Sequence, residues 1–344
     1  MQMKEAIGAL LKHRHLDYEE MHAVMQLIMT GEASEAQIGG FLAALAMKGE
    51  SAEEITAAAQ VMRELMLKVE VSGNHIVDIV GTGGDGANLF NVSTAASFVV
   101  AAAGGRVAKH GNRGVSSSAG SADLLEAAGI TLDLAPELVG RCIEQVGVGF
   151  MFAPVHHKAM RYAVGPRRDL GVRTIFNVLG PLTNPAGVVH QLLGVYDKAL
   201  LPIMANALKR LGSRHVLVVN SEEGLDEISL ASPTHVTELK DGEIIEYDIT
   251  PEQLGITRQS LESLKVKTAA DSLRLVTSAL KGEPGPAKDM VALNAGAALY
   301  AADVTESLQT GVMLAQDTMA SKLAFEKMME LADFTRVCAE RERL

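Results

Sequence analysis

Between residues 75 and 103 the chain passes through a short β-branched run, a burst of glycines and an apolar, alanine-rich helical pattern, and few folds accommodate that order. His75-Ile-Val-Asp-Ile-Val reads as a strand that ends at Gly81, Gly81-Thr82-Gly83-Gly84-Asp85-Gly86 follows, and the helix runs from about Val92 to Ala103. A strand handed through a tight glycine turn into a helix is half of a βαβ unit, which demands a parallel partner strand. The same alternation recurs. Strands are predicted around Arg106 to Lys109, Val146 to Phe152, Val189 to Val195 and Val216 to Val219, with helices at Ser121 to Ala128 and Ala199 to Leu211 between them. One segment departs from it: THVTELK and EIIEYDI flank Asp241-Gly242, a hairpin signal.

The first seventy residues carry helical patterns only. Asp17 can cap one helix, and Ser34 with Gln37 and Ser51 with Glu54 have capping-box spacing. Met21, Val24, Met25 and Ile28 recur at helical spacing, as do Ile38, Phe41, Leu42 and Leu45. From Thr268 onward the pattern is helical again. The expected architecture is α/β: a small all-helical domain over residues 1–70, joined by helices from about 155–180, and a large α/β domain over 71–344. The latter has a mainly parallel central sheet flanked by helices.

Composition narrows the function classes. With 31 basic and 42 acidic residues in 344, the net charge is −11, and the pI is near 5.4. Such a balance argues against an extended nucleic-acid surface. Cys142 and Cys338 stand too far apart in the chain for a metal quartet or a disulfide framework. No apolar run approaches a membrane span, and the first twenty residues hold too many charges for a secretory signal, so a cytoplasmic protein without a membrane partner is expected.

Four clusters carry chemistry. The glycine loop at 81–86 can cradle an anion with backbone N–H groups. It also matches G-x-G-x-x-G, but the region where a dinucleotide fold needs an acidic residue reads Arg106-Val-Ala-Lys109-His110, basic instead. Lys109-His110-Gly111-Asn112-Arg113-Gly114, followed by the serines of 116–118 and Ser121, reads as a second anion cradle after the next strand. Ser221-Glu222-Glu223-Gly224-Leu225-Asp226-Glu227 is acidic and sits directly after a strand, which suits magnesium. The arginines of 161–173 are either surface charges or a fork for a carboxylate-bearing substrate.

The strings DIVGTGGDG (78–86), NVST (91–94), KHGNRGVSSSAGSAD (109–123), GPRRDLGVRTIFNVLGPLTNP (165–185) and GLDE (224–227) together resemble the anthranilate phosphoribosyltransferase family. The resemblance implies transfer of the phosphoribosyl group of phosphoribosyl pyrophosphate to the amine of anthranilate, releasing pyrophosphate, in tryptophan biosynthesis. It puts Gly81, Gly84, Asp85, Asn91, Val92, Ser93, Thr94, Lys109, Ser117 and Ser121 on phosphoribosyl pyrophosphate. Gly81, His110, Asn112, Tyr162 and Arg167 fall along the anthranilate path, with Arg167 opposite the carboxylate. Ser93, Asp226 and Glu227 match positions that hold Mg2+, and no residue is implied as acid, base or nucleophile. Leu89 departs from the family, many members of which carry a hydroxyl there. A homodimer pairing through the N-terminal helices is expected, with no nucleic-acid partner. The alternatives are a pyrimidine nucleoside phosphorylase and a non-catalytic relative that binds nucleic acid.

Overall fold

The computed structural model describes residues 1–114 and 119–342. Four helices open the chain: α1 (Met3–Leu10), α2 (Tyr18–Met29), α3 (Glu35–Lys48) and α4 (Ala52–Leu65). Three of them start as their sequences dictate. Asp17, Ser34 and Ser51 each accept a hydrogen bond from the backbone three residues on, and Glu20, Gln37 and Glu54 answer back to the cap. Reciprocal satisfaction of orphan N–H groups fixes these helix starts locally.

The rest is built on one seven-stranded sheet: β1 (Ile76–Gly81), β2 (Arg106–Gly111), β3 (Val148–Phe152), β4 (His190–Gly194), β5 (His215–Ser221), β6 (Thr234–Lys240) and β7 (Glu243–Ile249). Their spatial order is β3-β2-β1-β4-β5-β6-β7. The first five strands pair in parallel, and β6 and β7 add antiparallel. Asp241 (φ 48°) and Gly242 (φ 88°) make the hairpin turn between these last two, in the left-handed conformation that Asp-Gly favours. The one displaced strand start has a local cause: Val146 is spent in a helical turn, Cys142–Val146, so β3 begins at Val148.

Both faces of the parallel part of the sheet are covered, which is why strands such as β3 and β5 are buried along nearly their whole length, whereas edge strand β7 is largely exposed. Alternate residues feed two cores. Leu192, Leu217 and Val219 enter the larger one, with helix α5 (Val92–Ala102) and the C-terminal helices. Leu193, Val216 and Val218 enter the other, with α2–α4, the helix Leu200–Arg210, and Ile175, Phe176 and Leu179. The N-terminal helices therefore share a core with one face of the sheet through segments drawn from residues 163–182. Aliphatic residues dominate both cores, although Phe41, Phe90 and Phe98 are among the largest fully buried side chains. Among the described residues no helix is long and apolar enough to cross a membrane.

Candidate active site

The strand order reverses between β1 and β4, and ligands of open α/β sheets bind outside the carboxyl ends of strands at such a switch point. Here the two neighbouring strands end in register on Gly81 and Gly194. The chain leaving β5 crosses directly over both. A Cβ on Gly194 would sit 1.6 Å from the Asp226 carbonyl oxygen, and one on Gly81 would sit 2.3 Å from Asp226 Oδ2. Those two glycines are what let the acidic loop lie in the crevice. The Gly83 N–H donates to Asp226 Oδ2 at 2.6 Å, locking the glycine loop to the acidic loop. Gly83, Gly84 and Gly86 all have positive φ, so the loop needs them conformationally as well.

Four ionisable groups meet beneath this crevice. Asp78 on β1 is fully buried; its carboxylate accepts from the His110 N–H at 3.2 Å and from Asn184 Nδ2 at 2.7 Å. Lys109 on β2 is buried as well, and its Nζ donates to the Ile79 carbonyl at 2.5 Å and to Ser93 Oγ at 3.3 Å. Burial pushes the Asp78 carboxyl up to about 6, against the pull of Lys109. Burial pushes the Lys109 ammonium down, against the pull of Asp78, Glu227 and Asp226. The acidic pair is displaced further. Burial, then repulsion from Asp85, raises Asp226 to about 7; burial and repulsion from Asp226 raise Glu227 to about 8.

Carboxylates driven that far up lack counter-charge. Asp226, Glu227, neighbouring Asp85 and the Ser93 hydroxyl are hard oxygen donors beside an anion-binding loop, a set that fits Mg2+ bound jointly by protein and phosphate oxygens. The Ser93 backbone N–H holds Glu227 in place at the start of α5.

A second wall comes from β2 and from the helices at 161–179. The His110 ring is buried, with Nδ1 3.2 Å from the Gly180 carbonyl, and this carbonyl fixes Nδ1 as the donor. Its Nε2 finds no partner among the described residues. Burial and the neighbouring His157, whose ring lies 5.0 Å away, push its imidazole well below the ordinary range. Thr94 Oγ1, Thr174 Oγ1 and His157 Nε2 are likewise buried without partners among the described residues. Arg167 lies over the Phe176 ring at 5.3 Å and makes no ion pair with a described residue, although burial already disfavours its charge.

The predicted residues divide accordingly. Gly81, Gly84, Asp85, Ser93, Lys109, Asp226 and Glu227 converge at the switch point. Val92 is buried in the core, so only its backbone is on offer. Asn91 is engaged internally: Nδ2 donates to the Ala119 carbonyl at 3.1 Å, and Oδ1 accepts from Ser272 Oγ at 2.7 Å. Asn112 is exposed, and its carbonyl accepts from Ser121 Oγ at 3.3 Å across the neck of the second loop, which Asp123 closes by accepting from the Gly114 and Gly120 N–H groups. Ser117 lies outside the described residues. Tyr162 packs on Gly31, where a Cβ would stand 2.5 Å from its ring. Leu89 pairs with Lys265 in an isolated bridge and packs on the larger core.

Sequence reasoning gave no role to Asp78 or Asn184, and it left Arg173 among the arginines read as surface charges or a carboxylate fork. The Arg173 guanidinium stacks 3.8 Å from the Tyr196 ring centroid and donates to the Gly84 carbonyl, tying the helical wall to the glycine loop. Asp78 stood in the quoted DIVG string. A charged residue inside an otherwise apolar buried strand was the available signal.

A half-buried, under-neutralised acidic pair beneath a glycine loop, at the switch point of a sheet backed by a helical lobe, fits a protein that grips a phosphorylated ligand. Comparison with known proteins makes the class specific: residues 4–66 match the glycosyl transferase family, helical bundle domain, and residues 73–325 the glycosyl transferase family, a/b domain. A relative from Chromohalobacter salexigens named anthranilate phosphoribosyltransferase is 72% identical over 342 residues, 99% of each chain. The crystal structure of anthranilate phosphoribosyltransferase from Thermus thermophilus is 47% identical, with a TM-score of 0.91 over 96% of this chain and 99% of that one. The Saccharomyces cerevisiae enzyme in complex with PRPP and Mg is 26% identical, with a TM-score of 0.89 over 97% of this chain and 98% of that one. This chain belongs to the anthranilate phosphoribosyltransferase family.

Proposed function

We propose that this chain transfers the phosphoribosyl group of phosphoribosyl pyrophosphate to the amine of anthranilate, giving N-(5-phosphoribosyl)anthranilate and pyrophosphate for tryptophan biosynthesis. The observation that carries the reading is the Asp226–Glu227 pair, raised to about 7 and about 8 beside buried Lys109 at the switch point. Ser93, Asp226 and Glu227 would hold Mg2+, which when bound neutralises the pyrophosphate oxygens. Backbone N–H groups of the Gly81–Gly86 loop and of the start of α5 bind phosphate, and the Thr94 hydroxyl, without a described partner, is free to join them. Asp85, Asn91 and Ser121 belong to the same binding surface, with Asn91 shaping it from behind, and the family resemblance assigns Ser117 to phosphoribosyl pyrophosphate as well.

Anthranilate sits against the His110 wall. Arg167 takes its carboxylate, and Asn112, Tyr162 and Gly81 line the path. Because Nδ1 of His110 donates to Gly180, Nε2 is an acceptor and orients the amine by accepting one of its N–H groups. A ring held so far below the ordinary range does not take that proton before attack, and an aromatic amine, already neutral at pH 7, does not require it to. Rate then comes from positioning the amine at C1 of the ribose and from the charges already fixed around the leaving group.

We further propose a cytoplasmic homodimer through the N-terminal helices, where Leu11 and Met47 are 68% and 80% exposed. Light scattering that reports only a 36.4 kDa species at low micromolar concentration would count against it. The activity is tested by the loss of anthranilate fluorescence. Consumption must require both phosphoribosyl pyrophosphate and Mg2+ and stop with chelator. No consumption by folded protein, with cleavage of thymidine or uridine by phosphate instead, would sink the reading.

A further inference from the structure

The amino ends of the same strands carry a second cluster that the reaction does not use. Parallel register pairs His190, the first residue of β4, with His215, the first residue of β5. Side chains paired in register leave the same face of a sheet, so both imidazoles meet the C-terminal end of the helix Pro286–Ala301, which packs there. Just past that helix, Asp303 adopts φ 56°, a left-handed conformation that turns its carboxylate back toward the rings. Asp303 Oδ1 is 2.7 Å from His215 Nδ1, and Oδ2 is 3.7 Å from His190 Nδ1. Among the described residues, only His190, His215 and Asp303 bring three potential metal-ligand atoms of His, Cys, Asp or Glu within 4.8 Å of one another.

From this geometry we infer that His190, His215 and Asp303 form a site for a divalent transition ion of the zinc class. Two imidazoles and a carboxylate are a donor set that takes Zn2+ and discriminates against Mg2+, which prefers oxygen alone. In a tetrahedral site, ligand atoms stand about 3.3 Å apart, so the cluster needs only side-chain adjustment to close. The surroundings also supply groups that can orient the ligands. His215 is buried between two carboxylates: Nδ1 faces Asp303, and Nε2 faces Glu238 Oε1 at 3.1 Å. With an ion on Nδ1, the remaining Nε2–H donates to Glu238, the carboxylate–histidine–metal arrangement that orients ligands in metal sites.

Glu238 is itself held by the hydroxyls of Tyr247 at 2.7 Å and Tyr300 at 2.8 Å. His190 Nδ1 lies 2.8 Å from the Ala301 carbonyl and must turn from it to ligate the ion, and the helix C-terminus favours positive charge there. Asp303 is half exposed at the edge of a cavity of about 410 Å3. The fourth coordination position is thereby left to water or a small anion, and the ion clips β4 and β5 to the end of the helix.

The test is a Zn2+ titration of the intact protein in excess Mg2+, which occupies the oxygen-donor site, repeated with Co2+ for its four-coordinate visible spectrum. One tightly held ion per chain is expected. Affinity should fall at least 10-fold in Asp303→Asn, which keeps a residue tolerant of positive φ, and in His190→Asn. Magnesium-dependent turnover in chelator-treated, Mg2+-restored samples should be unchanged in both, which certifies their folding. Glu238→Gln should weaken the ion about 10-fold. Equal affinity and spectra in wild type and in folded Asp303→Asn and His190→Asn, or no Zn2+ bound by wild type in excess Mg2+, would overturn the assignment.

Discussion

Glu54 in the helical lobe and the Asp226–Glu227 pair at the sheet are carboxylates drawn away from water, and their surroundings push them in opposite directions. Glu54 is fully buried, yet Lys48 Nζ at 2.8 Å, the Leu16 N–H at 2.9 Å and the Ser51 N–H at 2.8 Å hold it below the usual carboxylate range despite burial. Asp226 receives the Gly83 N–H and its own, and Glu227 that of Ser93, but Asp85 repels Asp226 and Asp226 repels Glu227, so burial wins and both rise. The fold completes the first site by itself and leaves the second to be completed from outside. That contrast separates structural from functional burial of charge more sharply than burial alone.

The largest expected effect tests the unfinished side. Asp226→Asn with Glu227→Gln should lower magnesium-dependent turnover about 10²- to 10³-fold while raising the thermal midpoint of the metal-free protein. Turnover within threefold of wild type would remove the pair from the reaction. Glu54→Gln should do the reverse. It strands buried Lys48 and should cost about 3 kcal/mol in denaturant unfolding, with kcat unchanged wherever the protein is folded.

Arg167 offers a third point on the comparison, a half-buried cation without a described carboxylate. Arg167→Ala should reduce kcat/KM for anthranilate about 30-fold, the scale of a charge-assisted hydrogen bond, and leave KM for phosphoribosyl pyrophosphate within about twofold. Unchanged anthranilate kinetics would break the assignment. A fall in stability matching that of Glu54→Gln would make Arg167 a structural residue instead.

Much of this was legible before the structure. The capping boxes, the β1–glycine loop–α5 unit and the Asp241-Gly242 hairpin depend on neighbours in sequence, and local chemistry determines them. That the glycine loop, the Lys109–Gly114 segment and the acidic loop lie at strand ends was legible because each directly follows a strand. What could not be read was pairing across the sheet. Nothing near Asp78 in the sequence announces Asn184, 106 positions away. His190 and His215 become partners only through the β4–β5 register. Asn91 and Val92 show the converse limit: a motif says which residues stand near a ligand but not which of them spend their side chains on the protein itself.

The smallest effect follows the pH dependence of stability. For Asp226 and Glu227 the folded values, about 7 and about 8, lie above the ordinary 3.8 and 4.5, so the folded state binds more protons than the unfolded chain. Their contribution is therefore fully present below pH ~4 and is lost as pH rises toward ~8. Glu54 runs the other way: its value is lowered, so its contribution is present above the unfolded value of 4.5 and fades as pH falls below it. Metal-free protein should then lose about 3 °C or more in thermal midpoint between pH 5 and pH 8, the scale of roughly 2 kcal/mol in a chain of this size. Added Mg2+ should restore most of that loss at pH 8 and little at pH 5, where protons already neutralise the pair. Asp226→Asn with Glu227→Gln should flatten the decline, whereas Glu54→Gln should leave it intact. A decline that survives in the first variant and disappears in the second would exchange the roles of the two sites.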